Sequence, residues 1–115
     1  MDAWKERDLA VLSRLEELGS DLSKPHHLDF FLYFPSEELA KSAASEIENG
    51  GYVVKVNRLE PPWWRRLFSK TVWSICTSKS MVPAREVIFE AGDWFHGIAQ
   101  RFSGEYDGWG TEVTE

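Results

Sequence analysis

From Met1 to Gly19 apolar residues recur at helical spacing: Trp4, Val11, Leu12, Leu15 and Leu18 form one stripe, with Lys5, Arg7, Arg14, Glu16 and Glu17 around the remainder. Gly19 is a natural stop. A helix of this length is marginal alone in water, so its stripe must dock on its own domain or on a partner. After a polar connector, Ser20 to Pro25, the period changes to two. Leu28, Phe30, Leu32 and Phe34 share one face of a strand over His26 to Phe34, and Asp29, Phe31 and Tyr33 share the other. Apolar bulk on both faces predicts a central strand. Pro35 ends it, Ser36 offers an N-cap, and Leu39, Ala40, Ala43, Ala44 and Ile47 give a stripe of small residues that lets a helix lie close to a sheet. Asn49-Gly50-Gly51 closes that helix.

Tyr52 to Leu59 predicts a second strand with Tyr52, Val54 and Val56 inward and Val53, Lys55 and Asn57 outward. Glu60 to Lys70, EPPWWRRLFSK, cannot continue it because two prolines remove ladder donors, so an exposed loop or short turn is expected. Thr71 to Thr77 is the third strand, expected to end in a turn at Ser78-Lys79-Ser80. Pro83 opens the longest helix, whose stripe runs Ala84, Ile88, Ala91, Phe95, Ile98 and Phe102, widened by Val87 and Trp94. Gly92 and Gly97 each weaken it by about 1 kcal/mol relative to Ala, which close packing would have to offset. Gly104 to Thr111, GEYDGWGT, follows as the last strand. Glycine weakens strands, so three of them beside two rings and two carboxylates mark a specific task. Tyr106 and Trp109 lie three apart, and only a bulge or turn at Asp107-Gly108 would set both rings on one side.

The order is helix, then βαββαβ. Right-handed crossovers make this a ferredoxin-like α+β sandwich, a four-stranded antiparallel sheet with two helices on one face and the first and third strands central, plus the extra N-terminal helix. The other sheet face, with Phe31 and Tyr33 on it, has no helix from the repeat, so the N-terminal helix or a second subunit is expected to cover part of it. The division is residues 1–24, helix and connector, and residues 25–115, the ferredoxin-like domain.

The 115 residues suffice for one core without disulfide or metal. Six tryptophans and seven phenylalanines mean that either the core is aromatic or rings stand in a contact surface. A net charge of −6 argues against a protein whose affinity comes from neutralising phosphates. Cys76, the lone cysteine, lies in an apolar β-rich run and reads as a buried small hydrophobe. No apolar signal core or membrane-length segment occurs, so the expected location is cytoplasmic, with no membrane span.

Candidate chemistry is sparse. His26 and His27 diverge on a strand, His96 lies on a distant helix, and no CxxC or HExxH spacing occurs, so no metal and no cofactor are expected. Glu105 and Asp107 would share a strand face, yet nothing supplies a nucleophile or an apolar pocket to tune them, and solvated acids or turn formers are the simpler reading. No catalytic residue is assigned. RNA binding is the strongest alternative: Phe31, Tyr33 and Trp73 on the open face could imitate a base-stacking sheet, with Arg65 and Arg66 holding a strand. Against it, TVWSICTS lacks the basic-glycine-aromatic pattern of that module. A ligand-sensing ferredoxin-like dimer is a third reading, resting on fold analogy alone. Protein binding has positive features, since Trp and Arg dominate interface hot spots and Trp63, Trp64, Arg65, Arg66 and Trp109 lie outside helical stripes.

EYDGWGT at the end, preceded by FFLYFPSEELAKSAASEIENGGYVV and by a helix entering FSGEY, resembles the bacterial family called regulator of ribonuclease E activity B, or ribonuclease E inhibitor. The likeness spans roughly Leu28 to Thr111. It implies a ferredoxin-like protein without chemistry of its own that binds the endonuclease or its scaffold and modulates RNA turnover. The resemblance carries over the positions Tyr106, Asp107, Gly108, Trp109 and Gly110. The expected partner-binding set is these five with Trp63, Trp64, Arg65 and Arg66. The partner that the resemblance implies is a protein, an endonuclease of the ribonuclease E type; direct nucleic-acid contact is not expected, and a homodimer is compatible with the open face.

Overall fold

The computed structural model describes residues 3–59 and 72–111. The elements are α1 (Ala3–Glu17), β1 (His26–Phe34), α2 (Glu37–Asn49), β2 (Val53–Leu59), β3 (Val72–Met81), α3 (Arg85–Arg101) and β4 (Glu105–Thr111). The strands form one antiparallel sheet in the order β2-β3-β1-β4, with the first and third strands central as expected. The strand–helix–strand units β1-α2-β2 and β3-α3-β4 interleave, the ferredoxin-like arrangement.

The period of two in β1 becomes an alternation of burial. His26, Leu28, Phe30, Leu32 and Phe34 are buried under the helices, while His27, Asp29, Phe31 and Tyr33 face away. Helix α2 begins where Ser36 Oγ accepts the Leu39 backbone N–H at 3.2 Å, and it buries Ala40, Ala43, Ala44 and Ile47. Helix α3 buries Ile88, Ala91, Phe95, Ile98 and Ala99. The core is aromatic at its centre: the Phe95 ring lies 4.7 Å from Phe30, 5.3 Å from Tyr52 and 5.6 Å from Tyr106 between centroids.

Several expectations change. Ser78-Lys79-Ser80 is not a turn, because β3 runs on to Met81 and pairs there with His26 to Asp29. The long central partner β1 supplies ladder bonds that outweigh the weak turn signal of serines. Cys76 is half-buried on the outer face, opposite Phe31 and Lys55, and not in the core. Burial, then the Asp29 carboxylate, raises its thiol pKa. Leu18 is exposed, and Val87 and Trp94 are only partly covered.

Helix α1 does not cover the outer sheet face. It lies on the same side as α2 and α3, against α3 and β4, with Leu12 and Leu15 in the common core cluster. The reason is a residue outside the apolar stripe count: Asp8, on the same face as Leu12 and Leu15, reaches the indole of Trp109.

Candidate interaction surface

Three parts of the molecule are candidates: the GEYDGWGT strand, the outer sheet face and a groove beside α3. The strand is built around a bulge. Phe31 stands opposite Gly108 and Leu32 opposite Tyr106, so Asp107 has no counterpart on β1. Gly108 takes φ +119°, a region that L side chains rarely adopt. The extra residue turns Tyr106 and Trp109 to the same side, and each is 8% exposed. Both rings therefore belong to the core, while Asp107 is left at the surface.

Trp109 Nε1–H donates to Asp8 Oδ1 at 3.0 Å, a buried hydrogen bond joining α1 to the last strand across nearly the whole sequence. Asp8 is 1% exposed, and its Oδ2 has no partner among the described residues. Burial pushes its carboxyl pKa up, against the lowering effects of the Trp109 bond and of Arg7. The Tyr106 hydroxyl is also buried and unpartnered among the described residues, and burial followed by the Asp8 charge pushes its pKa up. Tyr106 packs against Phe95 and edge-on to His96, with centroids 4.9 Å apart in the second pair. The Arg7 guanidinium lies over the bulge, where a Cβ on Gly108 would meet it at 2.9 Å. At the strand's entrance Gly104 passes so close to the Phe34 ring and the Tyr33 carbonyl that any side chain there would collide with both. The motif thus ties α1, α3 and β1 together.

The outer sheet face carries Phe31, 37% exposed, and the half-buried Tyr33 at its centre. Asp29 precedes them on β1, where His27 pairs with it at 3.3 Å. Glu105, opposite Tyr33, and Asp107 are exposed on β4, and Lys55 and Val53 lie on β2. No described helix covers this face. Trp73 is not part of it. Its partner across the ladder is Phe34, an inward residue, so Trp73 packs against the core side and the base-stacking triad of Phe31, Tyr33 and Trp73 does not exist.

The groove, of about 510 Å³, lies between the end of α2, the end of β3 and α3. The Trp94 indole stacks on Tyr52 at 5.4 Å, and Lys79 Nζ stands 5.0 Å from the Tyr52 ring centre. Sequence reasoning missed this wall, although Gly50 was a signal: a Cβ there would meet the Trp94 ring at 2.7 Å. Asp8 was missed because a carboxylate is not counted in an apolar stripe.

Among the described residues no group of three or more His, Cys, Asp or Glu side chains could hold a metal ion. His26 is a structural histidine. Its Nδ1 lies 2.7 Å from the Lys24 carbonyl, to which it donates, and its Nε2 lies 2.7 Å from Ser20 Oγ, so both ring nitrogens are engaged within the fold. No described helix is long and apolar enough to cross a membrane. Trp63, Trp64, Arg65 and Arg66 lie outside the described residues; the flanking Leu59 and Val72 stand opposite one another. Gly110 is half-buried with open space where a side chain would stand.

A match to the family described as regulator of ribonuclease activity B runs over residues 5–111. The chain belongs to that family. The match takes in α1 from its first turn as well as the whole sheet, and so extends the resemblance read from Leu28 onward. No individual curated protein matches the chain. In this member of the regulator family, Tyr106, Gly108 and Trp109 are buried parts of the strand, and Asp107 alone of the five motif positions is exposed.

Proposed function

We propose that the protein is a non-enzymatic regulator that binds a ribonuclease of the ribonuclease E type, or the scaffold carrying it, in the cytoplasm, and modulates RNA turnover by changing access or assembly. The observation that carries this reading is the family match over residues 5–111. The sheet face that no described helix covers supports it as a surface for a protein partner, and the acidic balance of −6 disfavours direct grip on RNA. Trp63, Trp64, Arg65 and Arg66 add hot-spot residue types in the sequence between β2 and β3. The YDGWG positions act in this reading by holding β4 and α1 in place, with Asp107 as their outward member.

The test is an affinity pull-down from the native host's lysate, with and without nuclease treatment, followed by mass spectrometry. A ribonuclease that survives removal of RNA is the expected result. RNA-associated proteins recovered only while RNA is intact would overturn the reading in favour of RNA binding.

A further inference from the structure

We propose that the sheet face which no described helix covers docks an arginine-bearing basic segment of the protein partner, with Phe31 and Tyr33 as the stacking floor and Glu105 and Asp107 as the carboxylates that take the guanidinium groups. The proposal rests on the protein-partner reading above and names the chemistry of that contact.

Residues two apart on a strand share a face at a spacing of roughly 7 Å, so Asp29, Phe31 and Tyr33 form a row along β1. The neighbouring strand stands about 5 Å away and sets Glu105 opposite Tyr33. Beside Phe31 that strand has Gly108, and beside Asp29 it has Gly110. Neither glycine carries a side chain, and Phe31 is 37% exposed although it occupies a central strand. The bulge that buries Tyr106 and Trp109 leaves Asp107 exposed on the same strand.

Rings with carboxylates within one or two strand spacings suit a guanidinium. It is planar, stacks on aromatic faces and takes a carboxylate through two parallel N–H bonds. Asp29 already has His27 at 3.3 Å, whereas neither Glu105 nor Asp107 makes an ion pair among the described residues. Lys55, a cation on this face, is on β2, beyond β3 from the row. Phosphate would meet the carboxylates as like charges, which excludes RNA as the occupant. A second copy laid face to face would set one group of carboxylates against another, which disfavours a homodimer through this surface.

The test uses the full chain and a fluorescent peptide of alternating Arg and Ser, compared with its Lys-for-Arg version, its Glu-for-Arg version and a single-stranded RNA of equal length. Anisotropy should show binding of the Arg peptide, several-fold weaker binding of the Lys peptide, and neither of the others. The Glu105→Gln/Asp107→Asn double variant should lose roughly tenfold or more in affinity and flatten the salt dependence. Phe31→Ala should lose about threefold to fivefold, with both variants melting near the parent temperature. Equal binding by parent and variants, or equal binding of RNA, overturns the proposal. Repeating the lysate pull-down with the variants separates the two failures. A ribonuclease captured equally by parent and variants removes this site and leaves the regulator reading. Peptide binding through the face with no ribonuclease captured removes the regulator reading and leaves the site.

Discussion

Replacing Asp8 by Asn should leave the protein at least as stable as the parent near pH 7, and Asp8→Ala should not. The carboxylate is 1% exposed, has one hydrogen bond, from Trp109 Nε1 at 3.0 Å, and leaves Oδ2 without a partner among the described residues. A buried charge satisfied on one oxygen keeps most of its desolvation cost. Asn has the same shape, keeps an acceptor for the indole and carries no charge. We expect a gain of up to about 1 kcal/mol for Asn and a loss of about 1–3 kcal/mol for Ala, which strands the indole N–H. The pH dependence follows from the direction of the shift. Burial raises the folded-state pKa above the unfolded value of 3.8, so the folded protein holds the proton more tightly. The parent is therefore favoured below that value and loses stability as pH rises through the folded pKa. The advantage of Asn should be small near pH 4 and largest near pH 7. Urea titrations followed by tryptophan fluorescence at the two pH values measure it, with 1 kcal/mol moving the midpoint by roughly 0.3–1 M. If Asn is less stable than the parent at pH 7, or gains more at pH 4, the charged form is the favoured one and the argument from burial fails.

Gly97→Ala should stabilise α3 by about 0.4–1 kcal/mol, read as a higher urea midpoint, because nothing stands within 4 Å of the added methyl and the helix gains propensity. Gly104→Ala should cost about 2 kcal/mol or more, or prevent folding, because the methyl would collide with the Phe34 ring and the Tyr33 carbonyl. Melting curves of the two variants should move in opposite directions. Replacing Trp63 and Trp64 together by Ala should abolish ribonuclease capture with little change in melting temperature if that pair is a contact surface. A lower melting temperature would instead assign the pair to packing, and no change in either property would refute both roles.

Much of the scaffold was legible in the residues themselves. The alternation in HHLDFFLYF, the small-residue stripe of α2 and the stripe of α3 each state their own period, because burial of one face selects for it. Their order then admits few topologies, and the observed sheet is the expected one. Ser78-Lys79-Ser80 were misplaced because local composition does not say how far a neighbouring strand will pair, and Cys76 because an apolar run does not say which of its alternating residues face inward.

The candidate site divides in the same way. The sequence alone determined that Phe31 and Tyr33 would stand on the face away from the helices, and that the two rings of the last strand needed an irregularity at Asp107-Gly108 to share a side. Only the tertiary structure decided which side that was, and it sent both rings inward. It also decided that α1 lies beside α3 and not beneath the sheet. The physical reason is that helical period fixes which residues of α1 face inward, but the surface they meet is chosen by contacts distant in sequence. Here that contact is a buried carboxylate and an indole N–H, Asp8 and Trp109, a pair that no periodicity records.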